Sequence, residues 1–230
     1  VQYDGVPGFG SLGGNQFDMS MYDRIEILRG PSGVLQGAGD PSGVANLVRK
    51  RPLREQALGA AMSVGSWKNV HAEVDANLPL TEDGRLRARA VLAGDNRHFF
   101  YDRARDSNRM GYGIVEWDLT SSTTVALSMA YQRSKPTSFS GFPAYNDGSG
   151  FLGLPRSTNL DAPWTQYHRS TRETVFDLSH RFNDDWTLKG VVRRRDADHD
   201  YLNGLPRGGV NRDTGLGSVL VGRGETESLN

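Results

Sequence analysis

Between Val70 and Leu80 apolar and polar residues alternate almost without a break. Val70, Ala72, Val74, Ala76, Leu78 and Leu80 fall on one side, and His71, Glu73, Asp75 and Asn77 on the other. A two-residue period turns successive side chains to opposite faces, so the pattern predicts a β-strand with one apolar and one charged face. The period recurs downstream. Leu86, Ala88, Ala90 and Leu92 oppose Arg87 and Arg89; Val125, Leu127, Met129 and Tyr131 oppose Thr124, Ala126, Ser128 and Gln132. Phe176 and Leu178 oppose Asp177, Ser179 and Arg181, while Trp186, Leu188 and Val192 oppose Thr187, Lys189 and Arg193. Leu58 to Val64 and Tyr112 to Leu119 follow the rule less cleanly, and Glu116 interrupts the second.

Two architectures yield such strands. A soluble or surface-attached β-sandwich turns its apolar faces inward, whereas a transmembrane barrel turns them to lipid and keeps the polar faces in the lumen. Several runs reach the ~9–11 residues that a tilted membrane strand needs, against ~5–6 in ordinary domains. Connections also alternate in length: short at Thr81-Glu82-Asp83-Gly84, at Thr120-Ser121-Ser122 and at Asn183-Asp184-Asp185, long from Arg97 to Met110, from Ser134 to Arg172 and from Asp196 onward. Short turns at one end and long loops at the other fit an outer-membrane barrel, with the long segments outside the cell. The short connection at Ser66-Trp67-Lys68 alone falls at the long-loop end. On this reading Leu127 faces lipid and rejects a charge, and Ser128, on the lumen face, accepts one.

The stretch before the strands is different. Tyr22 to Pro52 sets five glycines between two arginine-flanked apolar runs. No glycine precedes a lysine in Walker spacing, and Gly37, Gly39 and Gly43 run one residue too long for a dinucleotide loop. The glycines therefore serve turning. Ile25 to Leu28 reads as a strand broken at Gly30-Pro31, Ser32 to Gln36 as one helical turn, Asp40-Pro41 as a turn and Val44 to Val48 as a second strand. Val1 to Pro7 reads as a strand entering a turn.

Composition removes further classes. The 230 residues carry a formal net charge of zero, which gives no general attraction to nucleic acid, and no cysteine, which removes disulfides and thiolate metal sites. No apolar run approaches the ~20 residues of a spanning helix. His71, His98, His168, His180 and His199 show no metal spacing, and Asp196, Asp198 and Asp200 miss the EF-hand pattern because Tyr201 stands where glycine is required. Without a Gly-x-Ser-x-Gly elbow or another activated nucleophile, no enzyme and no cofactor are expected.

The motif Arg24-Ile25-Glu26-Ile27-Leu28-Arg29-Gly30-Pro31, within Gly14 to Pro52, closely resembles the end of the plug domain of TonB-dependent outer-membrane receptors, in their ferric-siderophore branch. Val1 to Pro7 resembles the plug strand before it, and the strands after Pro52 look like the start of that family's barrel. The resemblance implies an all-β-dominated fold: residues 1–52 as the C-terminal part of an α+β plug, and 53–230 as the first seven to eight strands of an antiparallel barrel, open in this stretch. In the family, a plug fills a barrel of about 22 strands. The chain is then expected to be a fragment of such a receptor in the bacterial outer membrane. Its partners would be a ferric siderophore, the membrane lipid, and a TonB-ExbB-ExbD complex acting through an N-terminal segment. Haem, cobalamin and glycan receptors share the plug and are the alternatives within the class. Arg24, Glu26 and Arg29 match positions thought to lock plug to barrel. Chelate contacts are expected from Phe9 and Leu12 in the apical Gly8 to Gly14 loop, and from Phe139, Phe142, Tyr145, Trp164 and Tyr167 in the long outer loop.

Overall fold

The long alternating runs pair with their sequence neighbours into one antiparallel sheet, and the glycine-rich stretch before them forms a second, smaller sheet against its polar face. These elements come from a computed structural model that describes residues 1–7, 16–30, 43–141 and 143–229. The small inner sheet contains β1 (Gln2–Tyr3), β2 (Val6–Pro7), β3 (Tyr22–Arg29) and β4 (Gly43–Arg49), in the order β2-β1-β4-β3. β1 and β4 run parallel, while the other pairs are antiparallel. The turn between β1 and β2 carries Asp4 and Gly5 at positive φ, and the Gly5 N–H donates to Asn46 Oδ1 at 2.9 Å. A single 3₁₀ turn at Met19–Met21 precedes β3, capped by the Asp18 side chain. The helical turn expected at Ser32 to Gln36 and the Asp40-Pro41 turn lie outside the described residues.

The wall is an eight-stranded meander: β5 (Ala57–Gly65), β6 (Asn69–Pro79), β7 (Leu86–His98), β8 (Arg105–Asp118), β9 (Thr123–Lys135), β10 (Gln166–Arg181), β11 (Thr187–Arg207) and β12 (Ser218–Leu229). Every neighbouring pair is antiparallel and the sheet is open at β5 and β12. It is the first part of a transmembrane antiparallel barrel, unclosed within this chain.

Facing follows the sequence alternation. Leu92, Trp117, Met129, Phe176 and Val192 are exposed on the outer side, while Val91, Ile114, Ala126 and Val175 are buried on the inner one. Glu116 disturbed the pattern because β8 turns Met110, Tyr112, Ile114, Glu116 and Asp118 inward together, placing both apolar and acidic residues against the inner sheet. Trp117, Phe182 and Trp186 project at the short-turn end of the outer face, and Trp67 and Tyr131 toward the other end, as aromatic girdles do at the borders of a lipid belt.

Three expectations change. The loops at the long-loop end are shorter than the sequence suggested, covering residues 99–104, 136–165 and 208–217, because β7 through β11 continue well past the apolar belt. Beyond the belt both faces are wet, so alternation fades, and Asp196-Ala197-Asp198 reads as loop although it is strand. For the same reason Asp196 does not open a loop, and Asp196, Asp198 and Asp200 are strand residues in β11. Ser128, expected to accept a charge, is 2% exposed and its hydroxyl accepts from Arg49 Nη1, so an arginine there would meet another arginine. The lumen at this level is filled.

In the full-length protein that contains this chain, Leu127→Arg should destabilise the folded barrel by ~2–4 kcal/mol, whereas Leu127→Met should stay within about 0.5 kcal/mol. Denaturant-dependent refolding into vesicles measures both. Equal stability of the two variants would rule out a lipid-facing Leu127.

Candidate functional site

The inner sheet meets the wall along a seam of charge. Arg49, at the end of β4, is 1% exposed at its side chain, the largest fully buried residue described. Its Nε pairs with Asp4, its Nη1 donates to Ser128, and its Nη2 lies 3.3 Å from both Asp177 oxygens. Burial works against that charge, but the Asp4 and Asp177 carboxylates more than offset it and hold the guanidinium above the ordinary arginine range. Lys50 Nζ then reaches Asp75 at 2.8 Å, Arg51 reaches Glu116 at 3.1 Å and Asp177 at 3.4 Å, and Arg54 reaches Asp118 at 3.0 Å. The wall adds its own cations. Arg89 forks onto Asp75 with two 2.8 Å bonds, and Arg87 spans Glu116 and Asp118. Asn77 clamps the link between the sheets, accepting from the Leu53 N–H at 2.7 Å and donating to the carbonyls of Leu53 and Glu55.

Apolar packing fills the rest of the seam. Phe17, Met21, Tyr22 and Leu47 of the inner unit form one cluster with Val91, Met110, Tyr112, Ile114 and Ala126 of the wall. Burial, then the neighbouring Tyr3 and Glu173, push the Tyr22 phenol well above its usual range. Arg193 and Arg195 lie 5.2 and 5.9 Å over the Tyr3 ring, and Arg195 also covers Phe17 at 5.2 Å, so cations of β11 cap the aromatic floor.

Above that floor, the inward faces of β10 and β11 carry an aromatic and basic cluster. Tyr167 and Tyr201 are directly opposite in register and stack at 6.0 Å with 21° between planes. His199 lies 6.0 Å from Tyr201, and its Nε2 accepts from Arg169 Nε at 3.1 Å. Asn203 donates to the Tyr167 hydroxyl at 3.3 Å. Room for this cluster comes from β12: a Cβ at Gly224 would fall 2.5 Å from the Tyr201 ring, and one at Gly222 would fall 2.8 Å from Asn203 Oδ1. Rings, a neutral imidazole acceptor, a guanidinium and an amide offer stacking and hydrogen bonding to an organic ligand with a few polar groups.

The structure distributes the expected site residues unevenly. Tyr167 belongs to the cluster just described. Phe139 stacks on Tyr101 at 4.5 Å in the adjacent loop, and Tyr145 bridges to Val210 with Arg212 over its ring at 4.7 Å, so both help knit the outer loops together. Trp164 packs over Gly204, on the face of β11 opposite Tyr201 and Asn203, and is 45% exposed. Phe9, Leu12 and Phe142 lie outside the described residues.

Arg24 and Glu26 pair with each other at 2.8 Å on exposed β3; Arg24 also bonds Asp23, and Glu26 accepts from Asn46. Hydrogen bonds from Asn46 and then Arg24 hold the Glu26 carboxyl below its ordinary range. Arg29 ends the same edge strand, and among the described residues none of the three bonds to the wall. The cations of the inner unit that cross the seam, Arg49, Lys50, Arg51 and Arg54, lie in and just after the basic run Val48-Arg49-Lys50-Arg51-Pro52, a signal that could have marked them as partners of Asp75, Glu116, Asp118 and Asp177. Tyr201, His199 and Asn203 were hidden by the lost alternation after Asp196.

Among family models, the TonB-dependent receptor plug domain matches residues 1–44. The ferric-pyoverdine M114 receptor PbuA of Pseudomonas sp. (strain M114) is 41% identical over 91% of this chain and 26% of its own length. The ferripyoverdine receptor of Pseudomonas aeruginosa is 36% identical over 82% of this chain and 24% of its own length. The chain thus spans about a quarter of these relatives. The crystal structure of the ferripyoverdine receptor of the outer membrane of Pseudomonas aeruginosa bound to ferripyoverdine superposes with a TM-score of 0.88 at 32% identity, over 99% of this chain and 32% of that one.

Removing one partner of a buried, hydrogen-bonded ion set strands the other. Arg49→Ala should therefore cost ~3–5 kcal/mol, and Arg24→Ala, at a solvent-screened pair, far less. Chemical denaturation of the full-length protein compares them, and similar losses would mean that Arg49 does not anchor the seam.

Proposed function

The chain belongs to the TonB-dependent receptors, and from that premise we propose that it is part of an outer-membrane transporter that imports a ferric siderophore, with chelates of the ferripyoverdine kind the first to test. Residues 1–52 are assigned to the end of the plug and 53–230 to the first strands of the barrel. The inward cluster of Tyr167, Arg169, His199, Tyr201 and Asn203 carries the reading. It stands at the long-loop end, over a floor of plug residues, where a chelate arriving from outside would rest before the plug moves. The pyoverdine relatives support the same class of cargo, and transport rather than catalysis.

Arg24, Glu26 and Arg29 fit this assignment as plug residues that lock to the barrel through partners in its remaining strands. Among the described residues β3 is an edge of the plug sheet with nothing paired beyond it, and its Ile25, Ile27 and Leu28 are 50–71% exposed. Apolar and charged residues left open on an edge strand call for cover, which we assign to the part of a full barrel beyond these eight strands. TonB, with ExbB and ExbD, is assigned to an N-terminal segment of the full-length receptor.

Binding and uptake of iron-labelled ferripyoverdine, measured separately on cells carrying the full-length receptor, test the assignment. Tyr201→Ala should weaken binding by about tenfold or more, and Trp164→Ala, on the opposite face, should leave it unchanged. Arg49→Ala should impair uptake more than binding. Unchanged binding in Tyr201→Ala, with the receptor present at the surface, would remove the lumen cluster from recognition.

A further inference from the structure

We propose that the outward face of β7, β8 and β9 seats one phosphate-bearing lipid of the outer leaflet, its phosphate held by Arg105, Arg109, Arg133 and Lys135 and an acyl chain laid in the furrow below. The inference rests on the membrane reading above and goes beyond it, since it concerns the outside of the barrel rather than the lumen.

The cations are the first observation. Arg109 and Arg133 stand directly opposite each other on adjacent strands, on the face away from the lumen, and Ser107 and Lys135 occupy the next such row. Like charges directly opposite in a sheet repel. All four cations are exposed, and among the described residues none lies within salt-bridge distance of a carboxylate. Arg105 Nε instead donates to Asn96 Oδ1 at 2.8 Å. Together with Asn96 and Ser107 they line a groove of about 530 Å³, which Asp95 also borders. On the neighbouring strand Arg172 turns outward as well, over the Tyr131 ring at 5.7 Å. A basic groove with hydroxyl and amide donors is complementary to a phosphate monoester or diester.

The second observation is independent. On the same strands and the same face, nearer the short-turn end, two cross-strand rows are built largely of small residues: Ala76, Ala90 and Gly113 end at Met129, and Leu78, Ala88 and Val115 end at Leu127. They enclose an apolar furrow of about 320 Å³. A Cβ at Gly113 would meet nothing within 4 Å, so the opening is not filled by the protein itself. Between furrow and cations runs the row Leu92, Gly111 and Tyr131, in which the Leu92 side chain leans toward Gly111, and Gly94 lies beside Arg109 in the next row. An apolar slot and a basic groove on the same face of the same strands, at either side of the row that holds Tyr131 of the aromatic girdle, match one molecule with a chain at one end and an anion at the other. A soluble anion would have no use for the furrow.

The experiment uses the full-length receptor purified from outer membranes and reconstituted in nanodiscs. Native mass spectrometry counts retained lipid with three probes offered in turn: lipid A, phosphatidylglycerol and inorganic phosphate. The wild type should retain one phosphate-bearing lipid per chain. Retention should fall by about tenfold or more in Arg109→Gln/Arg133→Gln, fall also in Gly113→Leu, whose side chain fills the furrow, and persist in Arg181→Gln at the opposite end of the barrel. Equal retention in all variants would overturn the site. So would occupation by inorganic phosphate with no effect of Gly113→Leu, which would reduce it to an anion groove. A receptor that inserts normally yet holds no lipid in excess of Arg109→Gln/Arg133→Gln would defeat this inference alone. Failure to insert at all would defeat the membrane reading first.

Discussion

A buried arginine sets the terms for the whole molecule. Arg49 is withdrawn from water at the seam of two sheets, where an unpaired guanidinium would be untenable, so Asp4, Ser128 and Asp177 must converge from a turn of the inner sheet and from two wall strands. The convergence is possible because the wall faces its apolar residues outward. A sheet that gives its greasy side to lipid has polar residues left for its interior, and whatever occupies that interior must match them charge for charge. Lys50, Arg51 and Arg54 continue the match along the same link, so the seam is a series of pairings in fixed order rather than one isolated ion pair.

The same inversion governs what could be read from the chain. Inside the lipid belt, alternation exposed both the strand and its facing, and β6, β7 and β9 were legible almost residue by residue. Glu116 looked like an error only because β8 presents an inner face that is partly apolar, a mixture that the packed inner sheet requires. Past the belt, water on both sides removes any reason to alternate, and the upper half of β11, all of β12 and the cluster around Tyr201 disappeared into apparent loop. The family motif pointed to Arg24, Glu26 and Arg29, but physical pairing within this chain falls to the basic run twenty residues later. A motif marks a place in the fold, and partners become visible only when distant strands are brought together.

The two halves of the lumen divide their chemistry accordingly. Below, pairs of opposite charge and a shared apolar cluster hold the plug to the wall. Above, the charges thin out, rings dominate, and glycines of β12 leave space for them. The outer loops add shape by binding to one another, through the Tyr145–Val210 bridge, the Arg103 side chain on the carbonyls of Asn159 and Asp161, and the Phe139–Tyr101 stack, so main chain and side chains together hold the rim of the cavity.

Asn77 gives this arrangement a mechanical character. It grips residues 53 and 55 by three hydrogen bonds from the side of β6, at the point where the chain passes from inner sheet to wall. Tension applied to the inner sheet travels along β4 into that short link and stops at a strand braced on both sides by β5 and β7. The link therefore behaves as a fixed anchorage. Load is borne first by the contacts between inner sheet and wall, which lie in parallel and can yield one after another, while the covalent path stays short and the inner sheet cannot be carried away from the barrel that houses it.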